Sequence, residues 1–154
     1  MSRILKHFAL IAAIAALSAC GGGGGGGEGT TEGTAENKVA VKIARVAIAK
    51  DGAVVEPAIV EEDTSIVLSA DVSENGKMIS AAGDTVEYIQ SAEFLVDGAS
   101  VGLDQTPPYR INDYVADSVG IHELKVKISY LEEDGSTVSV VEKAGSFEVT
   151  AKEI

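Results

Sequence analysis

Residues 121–131, IHELKVKISYL, put His122, Leu124, Val126, Ile128 and Tyr130 on one phase and Glu123, Lys125, Lys127 and Ser129 on the other. A period of two does not fit a helix, whose face repeats roughly every 3.6 residues. It marks a strand with one side in a core and one in water. From about Lys38 onward no stretch holds a helical apolar period for more than two turns, and short apolar runs are broken by Gly, Asp, Asn and Pro. The region therefore reads as all-β.

The neighbouring segments extend this pattern. Val39, Val41 and Ile43 share a phase that shifts to Val46 and Ile48, which predicts a bulge near Ala44 or Arg45, because one extra residue turns all later side chains to the other face. Asp51-Gly52 is a tight turn, and residues 53–60 read as a short edge strand because Pro57 has no N–H for a central ladder. Ile66, Leu68, Ala70 and Val72 form the next alternating face, and residues 73–84, rich in Gly, Ser and Asn, read as a loop. Glu133-Asp134-Gly135 supplies a hairpin turn, residues 137–141 the returning strand, and residues 146–151 a last strand that buries Phe147 and Val149. About seven or eight short strands with turns between them imply a two-sheet sandwich.

Three stretches make this more specific: AEFLVDGASVGLD at 92–104, PPY at 107–109 and GIHELKV at 120–126. Together they resemble the bacterial immunoglobulin-like domains of secreted and surface proteins, whose pattern runs V-x-F-x-V-D-G-x-x-V-G-x-D, then P-Y, then G-x-H-x-L-x-V. The resemblance implies an immunoglobulin-like sandwich used as a spacer, an adhesin or an appendage. The tryptophan often found shortly after Pro-Tyr is absent, and Asp113-Tyr114 stands in its region.

The chain's start has a different character. Arg3 and Lys6 precede an apolar run, residues 8–17, that ends in Leu17-Ser18-Ala19-Cys20, the chain's one cysteine. Some ten to thirteen apolar residues span only about half to two-thirds of a ~30 Å hydrocarbon core, so the run reads as a cleaved export signal. Leu17-Ser18-Ala19-Cys20 resembles the lipobox of bacterial lipoproteins. That resemblance implies diacylglycerol on Cys20, cleavage before it and acylation of the new N-terminus. A disulfide would need a second cysteine, and a reactive thiolate would need a folded electropositive pocket. Gly21 lacks the aspartate that retains some lipoproteins at the inner membrane, which points to the outer membrane. GGGGGGGEGTTEGTAEN, residues 21–37, has no large apolar side chain and reads as a disordered tether reaching about 20 to 25 Å. The expected organisation is a signal peptide at 1–19, lipidated Cys20 with a Gly-rich linker at 20–37, and an immunoglobulin-like β-sandwich at 38–154.

Charge narrows the functional classes. The formal charge is −12, and residues 20–154 hold 10 basic against 24 acidic residues. Such a field repels nucleic acid and anionic lipid head groups. His7 belongs to the signal, so His122 is the mature chain's only histidine, too few for a His-based zinc site. It reads as a strand-framework residue. Glu61-Glu62-Asp63, Glu132-Glu133-Asp134 and the scattered Asp97, Asp104 and Asp113 lack the calcium-loop spacing. Tyr109 and Tyr114 are the candidate exposed aromatics. The expectation is a non-enzymatic, lipid-anchored envelope protein with no cofactor and no metal site. It would display a binding, adhesion or assembly module to a protein or envelope-polymer partner. The alternative is a calcium-dependent structural or carbohydrate-recognition module.

Overall fold

The computed structural model describes residues 39–154, and the segments expected to be an export signal, lipidated Cys20 and a Gly-rich linker lie outside the described residues. Ten strands form two sheets: β1 (Val41–Lys50), β2 (Ala53–Val54), β3 (Ile59–Glu61), β4 (Thr64–Glu74), β5 (Lys77–Ile79), β6 (Ile89–Val96), β7 (Ala99–Asp104), β8 (Arg110–Ala116), β9 (Gly120–Leu131) and β10 (Val138–Thr150). One sheet runs β2-β1-β4-β5 with β8 also on β4, and the other runs β3-β10-β9-β6-β7. With β1, β4 and β8 facing β6, β9 and β10, and the chain crossing repeatedly between layers, this is an immunoglobulin-like sandwich.

Alternation decides what the layers enclose. Ile66, Leu68, Ala70 and Val72 of β4 face Leu124, Val126 and Ile128 of β9, with Phe94 of β6 and Phe147 of β10 in the same core. Each fully buried large apolar side chain contributes about 1.5–3 kcal/mol. The expected bulge in β1 is present: register against β4 shifts between Ile43 and Arg45, and Val41, Ile43 and Ile48 are all buried.

Four readings need correction. The edge strand expected over 53–60 is two pieces, β2 on β1 and β3 parallel to β10, because the chain changes sheets around Pro57. The loop expected at 73–84 contains the end of β4 and all of β5. Asn75 (φ 49°) and Gly76 (φ 82°) form a two-residue turn of the type that matches strand twist. Tyr114, expected as an exposed aromatic, sits half-buried within β8, where Asp113 at φ 59° absorbs a register shift against β4. Finally, the two strands expected at 137–141 and 146–151 are one, β10, which pairs with β9 from Val138 to Val149 without a bulge. The intervening Glu142, Lys143, Ala144 and Gly145 carry no apolar alternation, yet the ladder with β9 continues through them.

Candidate functional site

Two of the acidic residues that could have served ligands, Asp97 and Asp104, are used inside the fold. Asp97 and Gly98, both at positive φ, turn β6 into β7. Asp97 Oδ1 accepts the Glu123 amide N–H at 2.9 Å, and the Asp97 amide donates to Glu123 O at 3.0 Å. Its other oxygen, Oδ2, lies 2.7 Å from His122 Nδ1, while His122 Nε2 lies 2.7 Å from the carbonyl oxygen of Ser118. The ring stacks on Phe147 at 5.4 Å between centroids, and Tyr114 meets Phe147 edge-on at 6.4 Å.

Both ring nitrogens of His122 thus face acceptors, a carboxylate and a carbonyl. Only the doubly protonated ring can donate to both. The hydrogen bond to Asp97, then that to Ser118, raise the His122 pKa above its ordinary value, against a desolvation that lowers it. His122 and the Glu123 amide hold the Asp97 pKa below the ordinary carboxylate range. A ring bound in this way offers no free basic nitrogen to a substrate, and its partner is a Ser118 backbone oxygen, not a hydroxyl. The framework reading of His122 therefore acquires a physical content: it ties the β6–β7 turn and the segment before β9 to the core.

Asp104 works similarly. It accepts the Thr106 amide at 3.1 Å and the Arg110 amide at 2.9 Å, which folds the Pro107-Pro108 turn and drives Tyr109 inward. Tyr109 is 1% exposed, so it is not the exposed aromatic expected, and Tyr114 is half-buried against Phe147. Burial, with the nearby charges of Glu74 and Asp104, pushes the Tyr109 hydroxyl pKa up to about 12. That hydroxyl is buried without a hydrogen-bond partner.

The sequence reading missed Glu74. It is 8% exposed, and its carboxylate accepts three successive amides, those of Glu87 at 3.0 Å, Tyr88 at 2.6 Å and Ile89 at 3.1 Å. A carboxyl group this buried is tolerated because its oxygens are answered by amide donors. Nothing in the local sequence signalled it, since the partners lie thirteen to fifteen residues away. The Asp97–His122 pair was legible in principle: a D-G turn and a G-x-H strand start are both in the quoted pattern.

Among the described residues no group of three or more His, Cys, Asp or Glu is placed to hold a metal ion. A crevice of about 490 Å³ lies at one edge of the sandwich. It is walled by Val46 and Ile48 of β1, Val54, Val55 and Glu56, and Gly145 to Phe147 of β10, over Leu124. This is the size range of ligand sites, with mostly apolar walls.

A scan against protein-family models and a search of curated proteins found no match. Among solved structures, the chain is similar to the fibronectin(III)-like modules of Clostridium thermocellum CbhA, at 21% identity and a TM-score of 0.39, covering 74% of this chain and 100% of that one.

Proposed function

We propose that this protein is a lipid-anchored component of the bacterial cell envelope that displays its immunoglobulin-like domain as a non-enzymatic binding, adhesion or assembly module. The observation that carries the reading is the order of parts: an apolar export run, Leu17-Ser18-Ala19-Cys20, a glycine-rich stretch, then a single sandwich. Diacylglycerol on Cys20, with a further acyl chain on the new N-terminus, gives durable anchoring, because each buried methylene adds about 0.8 kcal/mol. The strongly acidic surface favours solubility beside the membrane and disfavours nucleic acid as a partner. The outer membrane is the proposed location, from Gly21. Support for a framework rather than a catalytic role of the chemistry-bearing side chains comes from Asp97, Asp104, Glu74 and His122, all engaged with backbone or with one another.

The test is fractionation of cells expressing the full chain and its Cys20→Ser variant. Wild type should sediment with membranes and incorporate a palmitate analogue, whereas the variant should be released and unlabelled. Membrane retention of Cys20→Ser would overturn the anchor, and cross-linking on intact cells that captures no partner would overturn the module.

A further inference from the structure

The two strands that flank the crevice both have open edges. β1 pairs over residues 41–47 only with β4, Ile48 O already accepting the Val55 amide, and β10 pairs over residues 138–147 only with β9. The direction of the free β10 groups follows from its lower end. There the Glu148 amide donates to Ala58 O, and Thr150 O accepts the Glu62 amide. Even-numbered residues of β10 therefore turn their backbone groups away from β9. Because the β9 ladder has no bulge, the same holds at Val138, Val140, Glu142 and Ala144. With Ser146 included, five N–H and five C=O groups lie along about 25 Å of strand with no strand partner among the described residues.

Proteins ordinarily blunt such an edge. Here β3 covers only the end beyond residue 147, and the open part displays Val138 at 60% and Val140 at 58% exposure. Where the open part meets β3, Gly145 leaves the crevice wall without a side chain. Val46 of β1 packs over it, so a methyl group there would meet the Val46 carbonyl oxygen at 3.7 Å and its Cβ and Cγ1 at 3.9 and 4.0 Å. An added strand could complete the β10 ladder and would run beside the crevice mouth at Gly145 to Phe147.

Resting on the module reading, we infer that the β10 edge is the docking site for an extended, cationic strand of a partner protein, one that alternates apolar and basic or polar residues. Backbone pairing supplies the affinity, and the crevice takes an apolar side chain. Charge selects the occupant. Residues 39–154 contain nine lysines and arginines against twenty-one acids. Glu56 lines the crevice, Glu132 and Glu133 stand at the turn by Val138, and Glu142 lies midway. Arg45 in the crevice wall is paired with Asp71 at 2.8 Å. Of the cations on or beside the open stretch, Lys125 lies 3.6 Å from Glu123 and Lys127 stands opposite Glu142, which leaves Lys143 and keeps the surrounding balance acidic through Glu56, Glu132 and Glu133. A second copy of this chain brings the same negative charge and is the disfavoured occupant.

The experiment uses residues 20–154 with Cys20→Ser and a fluorescent nine-residue peptide, Lys-Ile-Thr-Val-Lys-Ile-Thr-Val-Lys, followed by anisotropy. Saturable binding is expected. It should weaken about tenfold or more with N-methylation of alternate amides, since several backbone hydrogen bonds are lost, and similarly with Glu in place of each Lys. Val140→Pro removes an outward N–H while sparing the β9 ladder, and Val140→Lys keeps the N–H but adds a like charge. Both should weaken binding, and melting curves establish that each variant is folded. Binding unaffected by N-methylation, no binding at all, or a β10-mediated dimer that excludes the peptide would each overturn the inference. If the anchored protein still cross-links to a partner while the peptide fails, the module reading stands and the edge does not.

Discussion

The two margins of this sandwich treat backbone hydrogen-bonding groups in opposite ways. At the β6–β7 turn, the Pro107-Pro108 turn and the approach to β6, amides are answered by carboxylates: Asp97, Asp104 and Glu74. Along the β1 and β10 margin, a strand's worth of amides and carbonyls is left to solvent. The difference teaches that the chain's acidity has two uses. Some acids are built into the frame, and the rest form a field around an edge that is chemically ready to pair.

The largest expected effect lies on the answered side. Glu74→Ala leaves three amides without their acceptor in a nearly dry site, and should cost about 2–4 kcal/mol in urea unfolding. Glu74→Gln, with one acceptor oxygen retained, should cost less. A loss below about 0.5 kcal/mol for Glu74→Ala would break the comparison at its strongest point.

Tyr109→Phe is expected to move the other way. Its hydroxyl is buried without a partner, so removing it should raise stability by about 1 kcal/mol. Destabilisation by a similar amount would show that this hydroxyl is bonded in solution.

The Asp97–His122 pair sets a pH dependence. A His pKa raised on folding contributes stability that is complete below the unfolded value, near 6.5, and lost as pH rises through the folded value. A depressed Asp pKa contributes stability present above the unfolded value, about 3.9, and lost as pH falls through the folded value. The pair therefore contributes most between about pH 4 and 6.5. Asp97 is half-exposed, so screening keeps its effect under about 1 kcal/mol. Asp97→Asn should flatten the decline in melting temperature from pH 6 to 9 and lower the His122 titration midpoint seen by NMR, where His122 is the one histidine of residues 20–154.

Smallest of all should be Val140→Thr on the open margin. Its side chain is 58% exposed, so stability should change by less than about 0.5 kcal/mol. A larger loss would mean that the edge is already covered.

What the sequence revealed tracks how local each cause was. The β1 bulge was readable because Val39, Val41, Ile43, Val46 and Ile48 carry the phase change in their own order. The β9 face was readable for the same reason. Asn75-Gly76 was equally local, but the polar residues around it masked a hairpin signal. The unity of β10 was hidden because Glu142 to Gly145 are shaped by a partner strand rather than by their own pattern. Tyr109 could not be placed without Asp104, whose hydrogen bonds turn the chain beneath it. The carboxylate clamps depend on tertiary distance and were invisible as such, although Asp97 and His122 both stood within the recognised pattern.

The short parallel pairing of β3 with β10 bears on the order of events during folding. Val60 and Thr150 meet across ninety residues of chain, whereas β9 and β10 are joined through a tight turn. Closing a long loop costs more chain entropy than closing a short one, and contacts of great sequence separation slow folding. The β9–β10 ribbon can zip early from its turn, but β3 has no seat until that ribbon exists. The crossing at Pro57 is therefore a late latch, and the end of β10 at Glu148 to Thr150 is the last part of that strand to be covered.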